Sequence, residues 1–366
     1  MPNVNIIGTG IDTLNLGFYG NVDPDLWAYL QERKAMGQGL DPQTGEILPG
    51  RSEEVPANVA GWTVTLKPHG SRHYSFVFYN ADVRGQLAQR GRNPAPNLYI
   101  ICNSDFLWRE SAFGAYKIVQ DFAFRLCNDE IERELASDVH IAVDFQGWEP
   151  PPSEAHRYVS RATKQDCHVQ MHTTWQQHTG YTIGKGIILA RLYDKRTEMT
   201  VHRKPYFAVV WEANPHYDPE APVWRLEFQL RREAVSEFGI DTPAELFKRL
   251  NALWTYCAKD WLRYTDPSAD KTRHRWPTAP VWRELAHARI NDGRTPALRD
   301  RRSRARISDL LAMLWGLTAS YAALHDTYGL HATLSGLRED LERMENVEGR
   351  DFQADVTKKL ARMAEV

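Results

Sequence analysis

Tyr193 stands between two cations, Arg191 and Lys195, at the end of the apolar run Ile187-Ile-Leu-Ala-Arg-Leu192, and Glu198 follows three residues beyond the lysine. Side chains alternate along a strand, so a strand here puts Arg191, Tyr193 and Lys195 on one face and Ala190 and Leu192 on the other. Gly184 and Gly186, just upstream, suit a tight hairpin turn. A strand tyrosine with no such neighbours is most often a packing residue whose hydroxyl reaches water. A phenol ionises only at a pKa of about 10, and nearby cations are expected to ease that ionisation and make it a nucleophile.

Two more strands follow from the same parity, each with a carboxylate on its polar face. In Val139-His-Ile-Ala-Val-Asp-Phe145 the apolar row is Val139, Ile141, Val143 and Phe145, which leaves His140 and Asp144 opposite. In Trp224-Arg-Leu-Glu-Phe-Gln-Leu230 the apolar row leaves Arg225, Glu227 and Gln229 opposite. If the three strands are neighbours, Asp144, Tyr193 and Glu227 converge on one face, with Glu198 just past the end of the middle strand.

In order, His140-Ile-Ala-Val-Asp144, Tyr181-Thr-Ile-Gly184, Arg191-Leu-Tyr193-Asp194-Lys195-Arg-Thr-Glu198 and Trp224-Arg225-Leu-Glu227-Phe-Gln-Leu-Arg-Arg232 resemble the Rep_trans family of rolling-circle replication initiators. The motifs span about a quarter of the chain, and four in order within about a hundred residues are more specific than any one of them. The resemblance implies a metal-dependent DNA strand transferase with Tyr193 as nucleophile, Asp144, Glu198 and Glu227 as ligands of magnesium or manganese, and a host helicase as partner. Family members often carry a second aspartate where this chain has His140, and an imidazole there would favour manganese. Arg225 is a candidate DNA contact. Tyr181 and Tyr206 are rival nucleophiles: the first lies before the hairpin turn, the second follows Pro205. Glu198 has an alternative as a surface acid paired with an arginine, and His168 with His172 read as a polar surface pair.

With 366 residues, 42% hydrophobic and 25% charged, the chain is long enough for one large or two small domains. No run of 18 apolar residues and no signal-like start is seen, so a cytoplasmic protein without a membrane span is expected. Four scattered cysteines form no Cys-x-x-Cys pair, which argues against a zinc or redox motif. The net charge of −2 hides a basic segment, residues 270–307, with eleven Lys or Arg against four acids. Arg273 and Arg275, with Trp276 and Trp282 nearby, and the run Arg299, Arg301, Arg302, Arg304 and Arg306 are candidate DNA phosphate contacts. For the two tryptophans, core anchoring is the better reading.

The remaining elements must carry this site. Ile11 to Tyr19 reads as a strand, and Asp23-Pro24 starts a helix to about Met36. Residues 37–58 read as a long exposed loop, residues 62–67 and 74–79 as paired strands, residues 97–102 as a third strand, and residues 111–126 as an amphipathic helix. This order resembles that of the motif-bearing half, so a degenerate repeat of two sheet–helix halves is one reading, although no sequence identity links them. Pro150-Pro-Pro152 precedes an expected helix from Ser153 to Arg161, and a short strand is expected within residues 200–223. Thr242-Pro-Ala-Glu245 is a capping box for a helix striped by Leu246, Leu250, Leu253, Cys257 and Trp261. Leu330, Leu334, Leu337, Leu341 and Met344 form a short heptad-like seam, read as an antiparallel helix pair or as a homodimer or partner surface. The expected fold is α+β: an N-terminal half (1–130), a half with an antiparallel sheet carrying the Tyr/carboxylate site (131–240), and a helical region (241–366). The activity expected is nicking of one strand at an origin through a 5′-phosphotyrosine. A non-catalytic origin-binding protein and a nuclease that uses water are the alternatives.

Overall fold

The computed structural model describes residues 4–39, 52–89, 95–128, 130–162, 169–174, 177–202, 206–290, 304–327, 329–346 and 351–354. They fall in two compact units, Met1–Asp300 and Arg301–Val366.

The first unit is built on two 16-residue strands, β1 (Asn5–Gly20) and β7 (Ile131–Gln146), paired antiparallel along their whole length. On one side of this pair lie β2 (Val55–Val59), β3 (Trp62–Leu66), β4 (Phe76–Tyr79), β5 (Val83–Leu87) and β6 (Leu98–Cys102). On the other lie β9 (Val169–Thr174), β10 (Gln177–Ile183), β11 (Ile188–Asp194) and β12 (Trp224–Leu230), while β8 (Tyr158–Ser160) pairs separately with β13 (Leu262–Tyr264). The eleven-stranded order is β2-β3-β4-β5-β6-β1-β7-β12-β11-β10-β9, and every pairing is antiparallel. Each half opens with a central strand and then returns from the sheet edge by successive strands, until its last one lies beside its first. The repeat that the order of elements suggests is therefore present in the topology. Sequence reading had missed β2 and β5.

Alternation along the strands divides the sheet into a dry face and a polar face. Leu14, Leu16, Phe18, Ile100, Val139, Ile141, Val143, Leu226 and Phe228 belong to one continuous core. Among the helices that pack on it are α1 (Pro24–Gly37), α3 (Ala112–Leu126) and α7 (Pro243–Thr255). The Asp23 side chain accepts from Leu26 N at the start of α1, and Thr242 and Glu245 form the expected capping box on α7. Phe247 of α7 meets Phe113 and Tyr116 of α3, so the equivalent helices of the two halves touch. A π-helical turn, Tyr256–Trp261, prolongs α7, and Trp282 on α8 (Pro280–Ala286) is fully buried, donating to Ala258 O at 2.8 Å.

The polar face carries α2 (Ser104–Arg109), α4 (Lys195–His202) and α5 (Tyr206–Glu212), and α6 (Arg232–Glu237) follows β12. Two expectations fail here. Residues 200–223 supply helices rather than a strand, because Phe207 and Trp211, one helical turn apart, both have a buried site to fill. The helix expected at 153–161 is only a 3₁₀ turn, Ala155–Arg157, since Tyr158 to Ser160 pair with β13.

The second unit holds α9 (Arg304–Leu324) and α10 (Leu330–Asn346), joined by Tyr321 OH donating to Asp340 Oδ2 at 2.6 Å. Leu330, Leu334 and Leu341 of the heptad-like seam stay about half exposed. No helix among the described residues is long and apolar enough to cross a membrane.

Gly180 lies opposite Tyr193 in the β10–β11 pair, at φ +146°. A Cβ there would come within 2.2 Å of Leu192 O and 2.7 Å of Tyr193 Cα. Gly180→Ala should therefore lower unfolding stability by about 2–4 kcal/mol in urea titration. A loss under 0.5 kcal/mol would mean that β10 does not approach β11 this closely.

Candidate active site on the polar sheet face

Strand pairing brings the three sequence motifs together. Tyr193 on β11 is opposite Arg225 on β12, which is opposite Asp144 on β7, and one step along Arg191 faces Glu227. Asp144, Tyr193 and Glu227 thus lie on adjacent strands and on one face, as parity requires. All three are enclosed, at 0, 9 and 2% exposure.

Two hydrogen-bonded groups share this space. In the first, Tyr193 OH donates to Glu227 Oε2 at 3.0 Å, while Glu227 Oε1 accepts from Gln229 Nε2 at 2.7 Å and lies 3.2 Å from His140 Nδ1. The Arg191 guanidinium sits 4.7 Å from the Tyr193 ring centroid and Lys195 Nζ 5.6 Å from it. In the second, Arg225 is wholly buried and grips Asp144 with two nitrogens, Nε to Oδ1 at 2.5 Å and Nη2 to Oδ2 at 2.8 Å. Its third nitrogen, Nη1, donates to Asp12 Oδ1 at 2.5 Å. Trp211 Nε1 also donates to Asp144, at 2.8 Å, and Ser104 Oγ to Asp12, at 2.7 Å.

Lys195 reaches the site by a different route from the one parity suggests. The strand ends at Asp194, whose carboxylate accepts from Thr197 N at 3.1 Å and so starts α4 at Lys195. Lys195 is fully buried, its ammonium 2.7 Å from Glu198 Oε2 and 4.1 Å from the Phe207 ring centroid. Phe207 also lies 4.4 Å from the Arg225 guanidinium, and so α5 seals the charges from above.

These surroundings set the ionisation states. Burial, then the Glu227 charge, pushes the Tyr193 phenol well above its ordinary pKa, against the opposing pull of Arg225 and Arg191. The expectation that neighbouring cations would ease its ionisation is not met, because desolvation is the larger effect. Burial pushes Glu227 upward too, but hydrogen bonding and charge from His140, with Arg191 and Gln229, outweigh it and hold the carboxyl below its usual range. Burial and Arg225 lower Lys195, with Asp12 and Glu198 opposing.

The four expected metal donors do not converge. Glu227 and His140 meet, but Asp144 is turned to Arg225 and Trp211, and Glu198 to Lys195. Among the described residues no three His, Cys, Asp or Glu side chains are grouped to hold an ion. Arg225, expected to touch DNA, is enclosed by the carboxylates of Asp12 and Asp144 instead. Arg273 donates to the Tyr158 carbonyl at 2.9 Å, and Arg275 lies 3.6 Å from Asp270 with its side chain 67% exposed. Arg299, Arg301 and Arg302 lie outside the described residues, and Arg304 and Arg306 fall in the first turn of α9. Tyr181 belongs to the dry face and donates to Pro151 O at 2.6 Å, Tyr206 is the first residue of α5, and His172 accompanies Thr182 at 2.8 Å.

A cavity of about 280 Å³ opens beside Tyr193, between β9, β10, β11 and α4, lined by His172, Thr182, Arg191, Tyr193 and Glu198 among others. Sequence reading missed Asp12, Ser104, Trp108, Phe207 and Trp211. Asp12 is an acid within the apolar strand read from Ile11 to Tyr19, and that was the signal available.

Fold and site together define an α+β protein with an antiparallel sheet and a tyrosine–glutamate pair beside a cavity. A solved structure, the rolling circle replication initiator protein from Geobacillus stearothermophilus, is similar at 13% identity and a TM-score of 0.42, over 78% of this chain and 96% of that one. No family model and no curated protein matches the chain.

Removing Arg225 leaves Asp144 buried without its ion-pair partner and Asp12 with Lys195 as its remaining nearby cation. Arg225→Met should cost about 3–5 kcal/mol of stability at neutral pH, read by urea unfolding. The lowered pKa of Glu227 gives a second test. Its contribution is complete above the unfolded value of about 4.3 and is lost as pH falls toward the depressed folded value. His140→Ala removes the strongest lowering contact, so stability should fall less steeply below about pH 4.3 in that variant than in the parent. Equal slopes would dissociate His140 from Glu227.

Proposed function

We propose that the chain cuts and rejoins one DNA strand by transesterification, with Tyr193 as nucleophile, and that it starts rolling-circle replication. The observation that carries the reading is the Tyr193 hydroxyl bound to Glu227 at 3.0 Å, between Arg191 and Lys195, at the wall of a cavity open to a substrate. Tyr193 Oη attacks phosphorus and its proton passes to Glu227, whose other oxygen is held by Gln229 and His140. The bond from phosphorus to the 3′ oxygen breaks, leaving a 5′-phosphotyrosine and a 3′-hydroxyl that takes up a proton. Lys195, more acidic than an ordinary lysine, is a donor beside the ring. The phosphodiester energy is kept in the tyrosyl ester for resealing.

Burial makes proton transfer from a phenol with a raised pKa to a carboxylate with a lowered one unfavourable. Formation of the bond to phosphorus in step with proton transfer has to offset that, with Arg191 and Lys195 neutralising the charge that gathers on the phosphate. Magnesium or manganese would supply further charge neutralisation, with Glu227 and His140 as the donors already side by side, and no step above requires it. A helicase to open the duplex belongs to the same proposal.

A second reading is a non-catalytic origin-binding protein on this scaffold, and the enclosure of Tyr193 favours it. The two separate in one experiment: end-labelled single-stranded fragments of the neighbouring DNA are incubated with the protein, with manganese and with chelator. A denaturation-resistant adduct is expected from the parent, none from Tyr193→Phe, and at least a hundredfold less from Glu227→Gln, the range for loss of a positioned base. An adduct that persists in Tyr193→Phe transfers the role to another tyrosine. Cleavage without an adduct points to water as nucleophile, and retention of DNA with no cleavage supports the binding protein.

A further inference from the structure

In the first half of the sheet, the face that α4 and α5 cover in the second half carries tyrosines and arginines. Tyr99 on β6 is opposite Gly17 on β1 and opposite Gln86 on β5. Tyr74, from the loop between β3 and β4, lies over it with ring centroids 6.5 Å apart. Tyr19, near the end of β1, completes the group: its charge and that of Tyr99 add to burial in pushing the Tyr74 phenol up to about 12. The Arg133 guanidinium stacks on Tyr19 at 4.4 Å from the ring centroid and donates to its hydroxyl at 3.1 Å. Arg84 on β5 and Arg72 in the loop are exposed, and neither has a carboxylate partner among the described residues.

We infer that this face binds a single strand of nucleic acid, with Tyr19, Tyr74 and Tyr99 offering ring surfaces to bases and Arg72, Arg84 and Arg133 contacting phosphates. The occupant follows from chemistry. Partly buried tyrosines at a sheet face, two of them in ring contact, keep flat π surfaces at fixed spacing, which every base can use irrespective of sequence. Exposed guanidiniums without carboxylate partners, at the edges of those rings, select a polyanion with charge at regular intervals. An apolar peptide would leave those cations unpaired, and an acidic peptide would leave the rings unused. The inference concerns binding alone and needs no reaction at Tyr193, so it stands or falls separately from the proposed function.

The test uses the full chain in EDTA with fluorescein-labelled dT20 and anisotropy as the readout, across a salt series. Arg84→Ala/Arg133→Ala should bind at least tenfold more weakly, and the slope of log affinity against log salt should shrink by about 1.4, the value for two phosphate contacts on a single strand. An abasic 20-mer of equal charge should bind the parent at least tenfold more weakly than dT20. Unchanged affinity and slope in the double variant would overturn the inference and move binding to the basic segment at 270–290 or elsewhere. Equal affinity for the abasic strand would overturn the role of the tyrosines. Arg84→Ala alone keeps the test open should loss of the Arg133–Tyr19 contact disturb β1: it should bind severalfold more weakly with an unchanged circular dichroism spectrum, and no change would count against the inference.

Discussion

A guanidinium removed from water has to be surrounded by negative charge, and the way Arg225 meets that demand fixes much of the first unit. It takes both oxygens of Asp144 from its neighbour β7 and one from Asp12 on β1, so three strands are held in register by one side chain. Breaking such a buried arrangement costs several kcal/mol, whereas forming it gains little over a dry alternative, so its effect is on specificity of pairing more than on net stability. The group tolerates no slip: a one-residue shift of β12 would turn Arg225 into the core and Leu226 toward the carboxylates.

The same demand explains the cover. Charges in a low-dielectric space interact strongly only while water is kept out, and α5 does this with Phe207 and Trp211, Trp211 also donating to Asp144. The enclosure extends to Tyr193 and Glu227, which is why the phenol is harder, not easier, to ionise than in water. Proton transfer from Tyr193 to Glu227 is therefore unfavourable in this arrangement, ordered though it is.

Period-two alternation made the motif strands legible, because each has one dry face and a one-residue error would have put a carboxylate in the core. Tyr193, Glu227 and Asp144 were placed on one face for this reason. What escaped was whatever did not follow a period. β1 has register irregularities, including one between Ile11 and Thr13, so the phase around Asp12 cannot be read by counting. The helix with Phe207 and Trp211 is short, and its proline-flanked segment reads as a short strand. Lys195 was assigned to the correct neighbourhood by a parity that stops one residue earlier, since Asp194 caps a helix there. The partners chosen by Asp144 and Glu198 are tertiary and leave no trace in spacing.

The two halves share a topology, and the place where they must differ is the place of the site. β1 and β7 run antiparallel at the centre, so Asp12 and Asp144 approach one another from the two halves, and one guanidinium bridges them. β12 extends to Trp224 and Arg225 beside Asp144 and supplies it. In the first half the polar-face position near the start of β6, which Arg225 takes on β12, belongs to Tyr99, and Tyr99 is opposite Gly17 where Arg225 is opposite Asp144. Asp12 lies further along β1, where Ser104 and Trp108 of α2, the helix after β6, donate to it beside Arg225. With a tyrosine opposite a glycine there is no buried ion pair at that place in the first half, and so no charged centre for a helix to enclose.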